Sequence, residues 1–240
     1  KKGALLKAAR AYIESNAKAE GVEGAEVIAD AITNPAAEDG MNGWTIVKGA
    51  GSGGNLDVKS GEPWTDADDN ATHNYFDGGN WGANSWDVSL TQDITLASGK
   101  YVLTAIMRAS TDVTLTLFAG EEQQQATVMG ASGNVFDRGW NDVFVPFEVL
   151  LDGTVKIGVQ GVTSVTHNWM SFSNFRLVRI GDSEAGAALA AALANLQNEI
   201  DAAQALLDDE NAYEDGKAEL TAAIEAATGK LSSTDIEEVA

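Results

Sequence analysis

The sequence predicts a mainly β protein, namely a two-sheet antiparallel β-sandwich with α-helical segments at both ends. All six Trp and all seven Phe lie between Asn34 and Ile180, and aromatic residues favour strands. Within that segment, short runs with a period of two residues alternate with Gly and Asp turns, and no helical pattern intervenes. Both flanks are instead rich in Ala, Leu and Glu, which favour helices. We therefore predict a helical segment over 1–33, a sandwich over 34–180 and a helical hairpin over 181–240.

The N-terminal segment contains two stretches whose apolar residues recur at helical spacing. We interpret them as the end of a helical module that belongs to a longer protein, with neighbouring domains on both sides of the sandwich. The apolar positions are Leu6, Ala9 and Ile13 in the first stretch, and Val27, Ile28, Ala31 and Ile32 in the second.

Alternation in the middle segment predicts about eight strands. Apolar residues alternate with polar ones over Val88–Leu96, and Gly99 then turns the chain into a second run, Tyr101–Met107. Because these two runs are separated by a short turn, we predict that they form a hairpin. Further predicted strands are Val113–Phe118, Ala126–Met129, Val143–Val149, Val155–Val159 and a closing strand with Phe172, Phe175, Leu177 and Ile180.

Two helices and the start of a third are predicted after the sandwich. The second helix is expected to end near Gly229, since Gly commonly terminates helices. Thr234 and Glu237 have the spacing of a capping box and predict the start of the third helix. The apolar stripes are Leu189, Leu193, Leu196, Ile200, Ala203 and Leu207 in the first helix, and Tyr213, Leu220, Ile224, Ala227 and Leu231 in the second.

The charge excludes two classes of partner. The chain has 15 Lys and Arg against 36 Asp and Glu, a formal net charge of −21. A field of this sign repels phosphate backbones and anionic lipids, so we expect neither nucleic acid nor a membrane surface as partner. No run of about 18 apolar residues is present, so membrane insertion is not predicted either.

Catalysis is not predicted. The chain has no Cys and only two His, and it lacks the G-x-S-x-G elbow of serine hydrolases, so nucleophile and base arrangements lack members. Glycoside hydrolysis requires only two carboxylates at a set separation, and an acidic sequence always allows such a pair without indicating one. We therefore expect a protein that is not an enzyme.

Three segments resemble a known family in the expected order. The segment from Asn34 to Trp44 reads NPAAEDGMNGW and resembles the "N-P-x-F-E-D-G-x-x-G-W" opening strand of galactose-binding-like jelly-roll modules, which include many carbohydrate-binding modules. Gly99-Lys100-Tyr101 resembles their central strand entry, and Phe172–Leu177 is similar to their closing strand. The helical flanks resemble the FIVAR-type modules found beside such sandwiches in large secreted bacterial proteins that act on glycans.

The resemblance implies a structural calcium ion near the opening strand, with Glu38, Asp39 and Asn174 as its nearby ligands. Two residues depart from the family pattern. Ser173 stands where the closing strand commonly has a ligating Asp, which puts the metal in doubt because calcium requires six to eight oxygens. Ala37 replaces the usual Phe, and we expect it to leave that core position underfilled.

The resemblance also implies that loop aromatics bind sugar, flanked by amide and carboxylate groups. The stretch from Trp64 to Trp86 is the richest in these residue types, and its glycines favour a non-strand conformation. A second candidate is the loop before the closing strand. The predicted carbohydrate-binding residues are Trp64, His73, Tyr75, Asn80, Trp81 and Asn84 in the first stretch, and His167 and Trp169 in the second.

Two further Trp residues, Trp86 and Trp140, are better explained by packing. Trp86 shares the alternation of Val88 and Leu90 and is predicted to lie in the core, and Trp140 is expected to be buried as well. For Trp81, the sequence is equally compatible with a packing role and with contact to a ligand.

The sequence thus indicates a non-catalytic carbohydrate-binding module of a larger secreted or cell-surface bacterial protein, with a polysaccharide or glycan as partner. The alternative is a structural spacer or an adhesion module that contacts protein and has no sugar site. Exposed aromatic rings would favour the first function and buried rings the second.

Overall fold

The computed structural model describes residues 26–63, 72–80, 82, 85–110, 112–125, 140–209 and 215–239. The chain divides into two compact units. The sandwich unit comprises residues up to Leu96, Lys100–Phe147 and Thr154–Gly181, and the helical unit comprises Ala97–Gly99, Glu148–Gly153 and the residues from Asp182 onward.

The described residues contain strands from Glu26 to Gly181 and helices after Ser183. The strands are β1 Glu26–Val27, β2 Thr45–Lys48, β3 Asn55–Pro63, β4 Thr72–Asn80, β5 Trp86–Leu96, β6 Gly99–Ala109, β7 Thr114–Ala119, β8 Glu122–Gln125, β9 Asn141–Val149, β10 Gly153–Thr163 and β11 Asn168–Gly181. The helices are α1 Glu184–Leu207, α2 Lys217–Lys230 and α3 Ile236–Val239.

The strands form two sheets, which confirms the predicted β-sandwich. One sheet has the order β3-β4-β11-β6-β9, and β1 pairs with the C-terminal half of β11. The other has the order β2-β5-β10-β7-β8. Antiparallel pairing joins β3 to β4, β4 to β11 and β11 to β6 in the first sheet, and β2 to β5 and β10 to β7 in the second.

The predicted hairpin between Val88–Leu96 and Tyr101–Met107 is wrong. Both runs are strands, but β5 and β6 belong to different sheets, so the connection through Ala97 and Ser98 carries the chain from one sheet to the other. Alternation shows which side chains face the core, and it is compatible with either sheet as partner. A hairpin does occur between β7 and β8, where Thr116 pairs with Gln125. The predicted strand Ala126–Met129 lies outside the described residues.

The predicted helical segment is wrong over residues 26–33. Glu26 and Val27 pair with Arg179 and Val178 of β11, and the Ile28 amide donates to the Leu177 carbonyl at 2.9 Å. Of the apolar residues that suggested a helix, Val27 lies in β1 and Ile28 hydrogen-bonds to β11, whereas Ala31 and Ile32 lie in the bends that follow. Residues 1–25 lie outside the described part of the chain.

The core confirms two packing predictions. Trp86 is fully buried, and Trp140 is 7% exposed. Gly78 provides room for the Trp86 ring, because a Cβ at position 78 would lie 2.9 Å from the Trp86 ring atom Cζ2. Four rings pack around the opening and closing strands at centroid distances between 4.6 and 6.4 Å, namely Trp44, Phe76, Phe172 and Phe175.

The helical unit confirms the predicted stripes among its described residues. Every member of the first stripe is buried or half-buried, and the described members of the second are half-buried, with α2 and α3 both contacting α1. The predicted cap of α3 is corrected by one residue, because the Glu237 amide donates to Asp235 Oδ1 at 2.9 Å rather than to Thr234. Among the described residues, no helix is both long and apolar enough to span a bilayer.

Candidate functional site

The six-stranded sheet has one face toward the other sheet and one face turned away from it. Positions 78 and 170 face the second sheet, because Gly78 lies against Trp86 of β5 and Met170 lies against Gly161 of β10. Successive residues of a strand alternate between the two faces. Asp77 of β4 and Trp169 of β11 therefore lie on the outward face, together with their cross-strand partners.

An aromatic cluster around one arginine occupies this outward face. The Arg108 guanidinium lies 4.5 Å from the ring centroid of Trp140, 5.3 Å from that of Trp169 and 5.8 Å from that of Tyr75. All three distances are within the range of cation–π attraction. Tyr75 and Trp140 also meet edge to face at 5.7 Å. We call Tyr75, Ile106, Arg108, Trp140 and Trp169 the outward cluster; Trp169 is its half-buried member, and the others are buried.

A polar row crosses the sheet beside the outward cluster. Asp57, Asp77, Ser171 and Arg108 are register partners on β3, β4, β11 and β6, so their side chains share one face. Both carboxylate oxygens of Asp77 are engaged: Oδ1 accepts from Ser171 Oγ at 2.8 Å, and Oδ2 forms an ion pair with Lys59 Nζ.

At one end of this sheet, the end of a strand lies beside a loop that the sequence predicted as sugar-binding. The His167 amide donates to the Asn80 carbonyl at 2.8 Å, and Asn168 is the register partner of Asn80. The end of β4, which continues into residue 81, therefore lies beside the loop before β11. Sequence reasoning alone could not place Asn80 beside this loop, because their proximity depends on the pairing of β4 with β11.

Hydrogen bonds fix the conformation of the chain around the start of β11. His167 is exposed and has a φ of 59°, in the left-handed region that few residues other than Gly adopt and in which Asn, Asp and His are enriched. Its Nδ1 lies 3.0 Å from Thr166 Oγ1. Trp169 is hydrogen-bonded to Ser110, the residue directly after β6. The Trp169 carbonyl accepts from the Ser110 amide at 2.9 Å, and the Trp169 amide donates to Ser110 Oγ at 3.3 Å.

The structure corrects part of the predicted site. Residues 72–80 form β4, so the expected non-strand conformation of this stretch is wrong, and the glycines at 78 and 79 serve packing against Trp86 and sheet pairing instead. Tyr75 is 4% exposed and Asn80 2% exposed. Neither side chain offers a surface to a ligand as it stands. His73 lies on β4, and Trp64, Trp81 and Asn84 lie outside the described residues.

Sequence reasoning missed Arg108, Asp77 and Ser171 as members of this face. The run Tyr101–Ala109 is apolar except for Thr104 and Arg108, and a charge at such a position could have indicated a partly covered sheet face. The aromatic neighbours of Arg108 come from β4, β11 and the residue before β9, which no local pattern connects.

The opening segment, residues 34–39, is tied to both sheets. The amide and carbonyl groups of Thr33, directly before it, hydrogen-bond the Gln92 side chain of β5 at 2.7 and 3.0 Å. The Pro35 carbonyl accepts from the Phe175 amide of β11 at 3.0 Å. Trp44 Nε1 donates to the Asn34 carbonyl at 3.1 Å, which explains why the motif ends in Trp.

The residues near the opening segment do not fit the calcium ion that the resemblance implies. The carbonyl of Ala37 and Glu38 Oε2 both accept from Asn74 Nδ2, at 3.4 and 3.1 Å. Asp39 Oδ2 accepts from Asn42 Nδ2 at 2.8 Å. Amide donors thus approach the oxygens that a cation would need. No group of three or more His, Cys, Asp or Glu side chains with metal-binding proximity occurs in the described part of the chain.

Fold and site together define an antiparallel β-sandwich module with a mostly buried aromatic and polar cluster on one outward sheet face, beside half-buried Trp169 and exposed His167. No protein-family model matches the chain, and no curated protein sequence matches it.

Several solved structures are similar in fold. TmCBM61, a carbohydrate-binding module in complex with β-1,4-galactotriose, has 17% identity and a TM-score of 0.47, over 62% of this chain and 97% of that chain. A cyclase from Fischerella sp. TAU has 15% identity and a TM-score of 0.47, over 67% and 100%. A protein described as sugar-binding from Bacteroides thetaiotaomicron has 14% identity and a TM-score of 0.41, over 57% and 87%. Both binding proteins and cyclases occur among them, so the function of this chain rests on its own residues.

Proposed function

We propose that this chain is a non-catalytic carbohydrate-binding module of a larger secreted or cell-surface bacterial protein. The sandwich unit binds a polysaccharide or glycan at the edge where the loop before β11 meets the end of β4. The helices that follow Ser183 are a FIVAR-type spacer that connects the module to a neighbouring domain.

The observation that carries this proposal is the placement of Trp169. Its ring is half-buried, so part of its surface is open to solvent, and the Arg108 guanidinium lies 5.3 Å from its centroid. Exposed His167 lies two residues earlier, in the loop that leads into β11. A flat apolar ring beside hydrogen-bonding groups suits a pyranose, which has an apolar C–H face and a rim of hydroxyls.

We propose Trp81 as a further contact, because it directly follows Asn80 in the sequence, and the Asn80 carbonyl accepts from the His167 amide. We also propose Asn84, from the connection between β4 and β5, as a contact. His73 pairs with Glu62 at the end of β4 opposite Asn80, and Trp64 directly follows Pro63, the partner of Thr72 at that same end, so we leave His73 and Trp64 out of the site around Trp169. Tyr75 and Asn80 act from beneath the surface, where they support the residues that touch the glycan.

The state of Asp77 supports a binding role rather than hydrolysis. A glycosidase needs one carboxyl group to donate a proton and a second to act as nucleophile or base. Lys59 and Ser171 occupy the two oxygens of Asp77, so this carboxylate is committed to holding β3, β4 and β11 together.

The alternative is a spacer or adhesion module without a sugar site. The burial of Tyr75 and Trp140 favours it, because these rings contribute packing and no open surface. The two functions differ in what Trp169 does, which an experiment can decide.

The test is affinity electrophoresis of the full chain through gels that contain plant, host or microbial polysaccharides. We expect retention by at least one polysaccharide, and we expect Trp169→Ala to abolish it with a small change in thermal stability.

Trp86→Ala is the matched control: removal of this fully buried ring costs about 3 to 5 kcal/mol of unfolding free energy, and binding persists at temperatures where the variant is folded. No retention on any polysaccharide would favour the spacer function. Equal destabilisation by both substitutions, with binding unchanged, would refute the site.

A further inference from the structure

We propose that the side-chain amide of Asn74 fastens the opening segment to the sheet without a metal ion, and that a carboxylate at this position would turn the same place into a calcium site. The proposal concerns the stability of the sandwich unit and does not depend on glycan binding.

Asn74 connects three separate segments of the chain. It lies on β4, and its Nδ2 donates to the Ala37 carbonyl and to Glu38 Oε2 in the opening segment. The backbone carbonyl of Asn74 accepts from Ser173 Oγ of β11 at 2.9 Å, and Ser173 is fully buried. One residue therefore supplies both a donor toward the opening segment and an acceptor toward the closing strand.

The opening segment requires such a donor because its backbone is unfavourable by itself. Asn34 and Ala37 have φ values of 51° and 57°, and the left-handed region is costly for Ala. Ala37 is also fully buried, and a buried carbonyl without a donor is destabilising. The Asn74 amide compensates part of both costs.

The chemistry of the contact fixes the orientation of the Asn74 amide. Both neighbouring groups, the Ala37 carbonyl and the Glu38 carboxylate, are acceptors, so in the absence of a cation the nitrogen faces them. The amide N–H groups place partial positive charge between these two oxygens. They thereby reduce the repulsion between the oxygens, as a bound cation would.

Asn74→Asp reverses this arrangement with little change in shape. The donor becomes an acceptor, and the carboxylates of residues 38 and 74 then lie close together beside the Ala37 carbonyl. Like charges at this distance repel. With the Ala37 carbonyl, the two carboxylates supply part of the six to eight oxygens that calcium takes, and water would supply the others. We therefore expect a variant whose stability depends on calcium.

The experiment measures the thermal unfolding of the full chain in millimolar calcium chloride and in chelator. For the unchanged chain, we expect the same Tm in both solutions. Asn74→Asp should lower Tm by about 2 to 8 °C in chelator and recover most of this loss in calcium. Asn42→Asp is the control, because it makes the same charge change at an exposed amide–carboxylate pair with Asp39; its Tm should change little and should not respond to calcium.

A double variant keeps the proposal testable if Asn74→Asp does not fold. Asn74→Asp combined with Glu38→Gln exchanges the amide and the carboxylate, so a donor and an acceptor face each other again. We expect this variant to fold and to be insensitive to calcium. A rise in the Tm of the unchanged chain with calcium would overturn the metal-free lock. An unaltered Tm for Asn74→Asp in chelator, a loss that calcium does not restore, or a double variant less stable than the single one would overturn it as well.

Discussion

At the scale of single residues, Arg108 determines the form of the outward cluster. It is 7% exposed in a protein of strongly negative net charge, and aromatic rings from three parts of the chain surround its guanidinium. Arginine suits this place because its guanidinium is planar and weakly hydrated, so it can stack between rings. We infer that Arg108 is a positioning residue, which holds Trp169 in the orientation that the proposed glycan site requires.

Arg108→Lys tests this role. Lysine keeps the charge but replaces the planar group with a compact, strongly hydrated ammonium. We expect glycan affinity to fall about 2- to 30-fold, which corresponds to the loss of a cation–π contact of about 0.5 to 2 kcal/mol. Isothermal titration measures the affinity, and the quenching of Trp fluorescence by iodide reports the exposure of the rings. Unchanged affinity together with unchanged quenching would show that Arg108 does not position Trp169.

At the scale of secondary-structure elements, the first helix shows how one residue can fix a helix start. Ser183 is 3% exposed; its Oγ accepts from the Gly186 amide and donates to Glu148 Oε1, both at 2.7 Å. Gly186 is needed beside it, because a Cβ at this position would lie under 3.0 Å from the Leu150 carbonyl oxygen. The start of α1 is therefore specified by two small residues.

Ser183→Ala should destabilise the helical unit by about 1 to 2 kcal/mol, since the first turn of α1 loses its cap and Glu148 loses a donor. The helical signal in far-UV circular dichroism during urea unfolding measures this loss. Ser232→Ala, at an exposed serine between α2 and α3, is the control and should shift the transition by much less. Equal transitions for the two variants would contradict the capping role.

The same scale shows what the sequence could predict. The α1 stripe from Leu189 to Leu207 and the inward alternation of Trp86 were predictable, because each depends on the spacing of residues within one element. The pairing of β5 was not, since alternation does not choose between neighbouring strands and the opposite sheet. The candidate site was found in part. His167 and Trp169 stand out by residue type, whereas Arg108 becomes relevant only when β6 lies beside β11.

At the scale of the whole molecule, the net charge of −21 and the sequence pI of about 4.2 favour neutral glycans over anionic ones. A field of this sign raises the local concentration of cations and repels polyanions. Neutral polysaccharides should therefore be retained more strongly than uronate-rich or sulfated ones. Affinity electrophoresis at low and high salt tests this expectation, because salt screens the repulsion and should increase any retention on a polyanion. Stronger retention on polyanions at low salt would contradict it.

The central claim is that a glycan binds around Trp169, at the edge where the loop before β11 meets the end of β4. The most direct measurement is a ¹⁵N–¹H NMR titration of the full chain with an oligosaccharide of the retained polysaccharide. We expect the indole resonance of Trp169 and the backbone amides of His167 and Asn80 to shift, whereas the indole of buried Trp86 stays in place. Shifts confined to the five-stranded sheet or to the helical unit, with Trp169 and His167 unaffected, would contradict the proposed site.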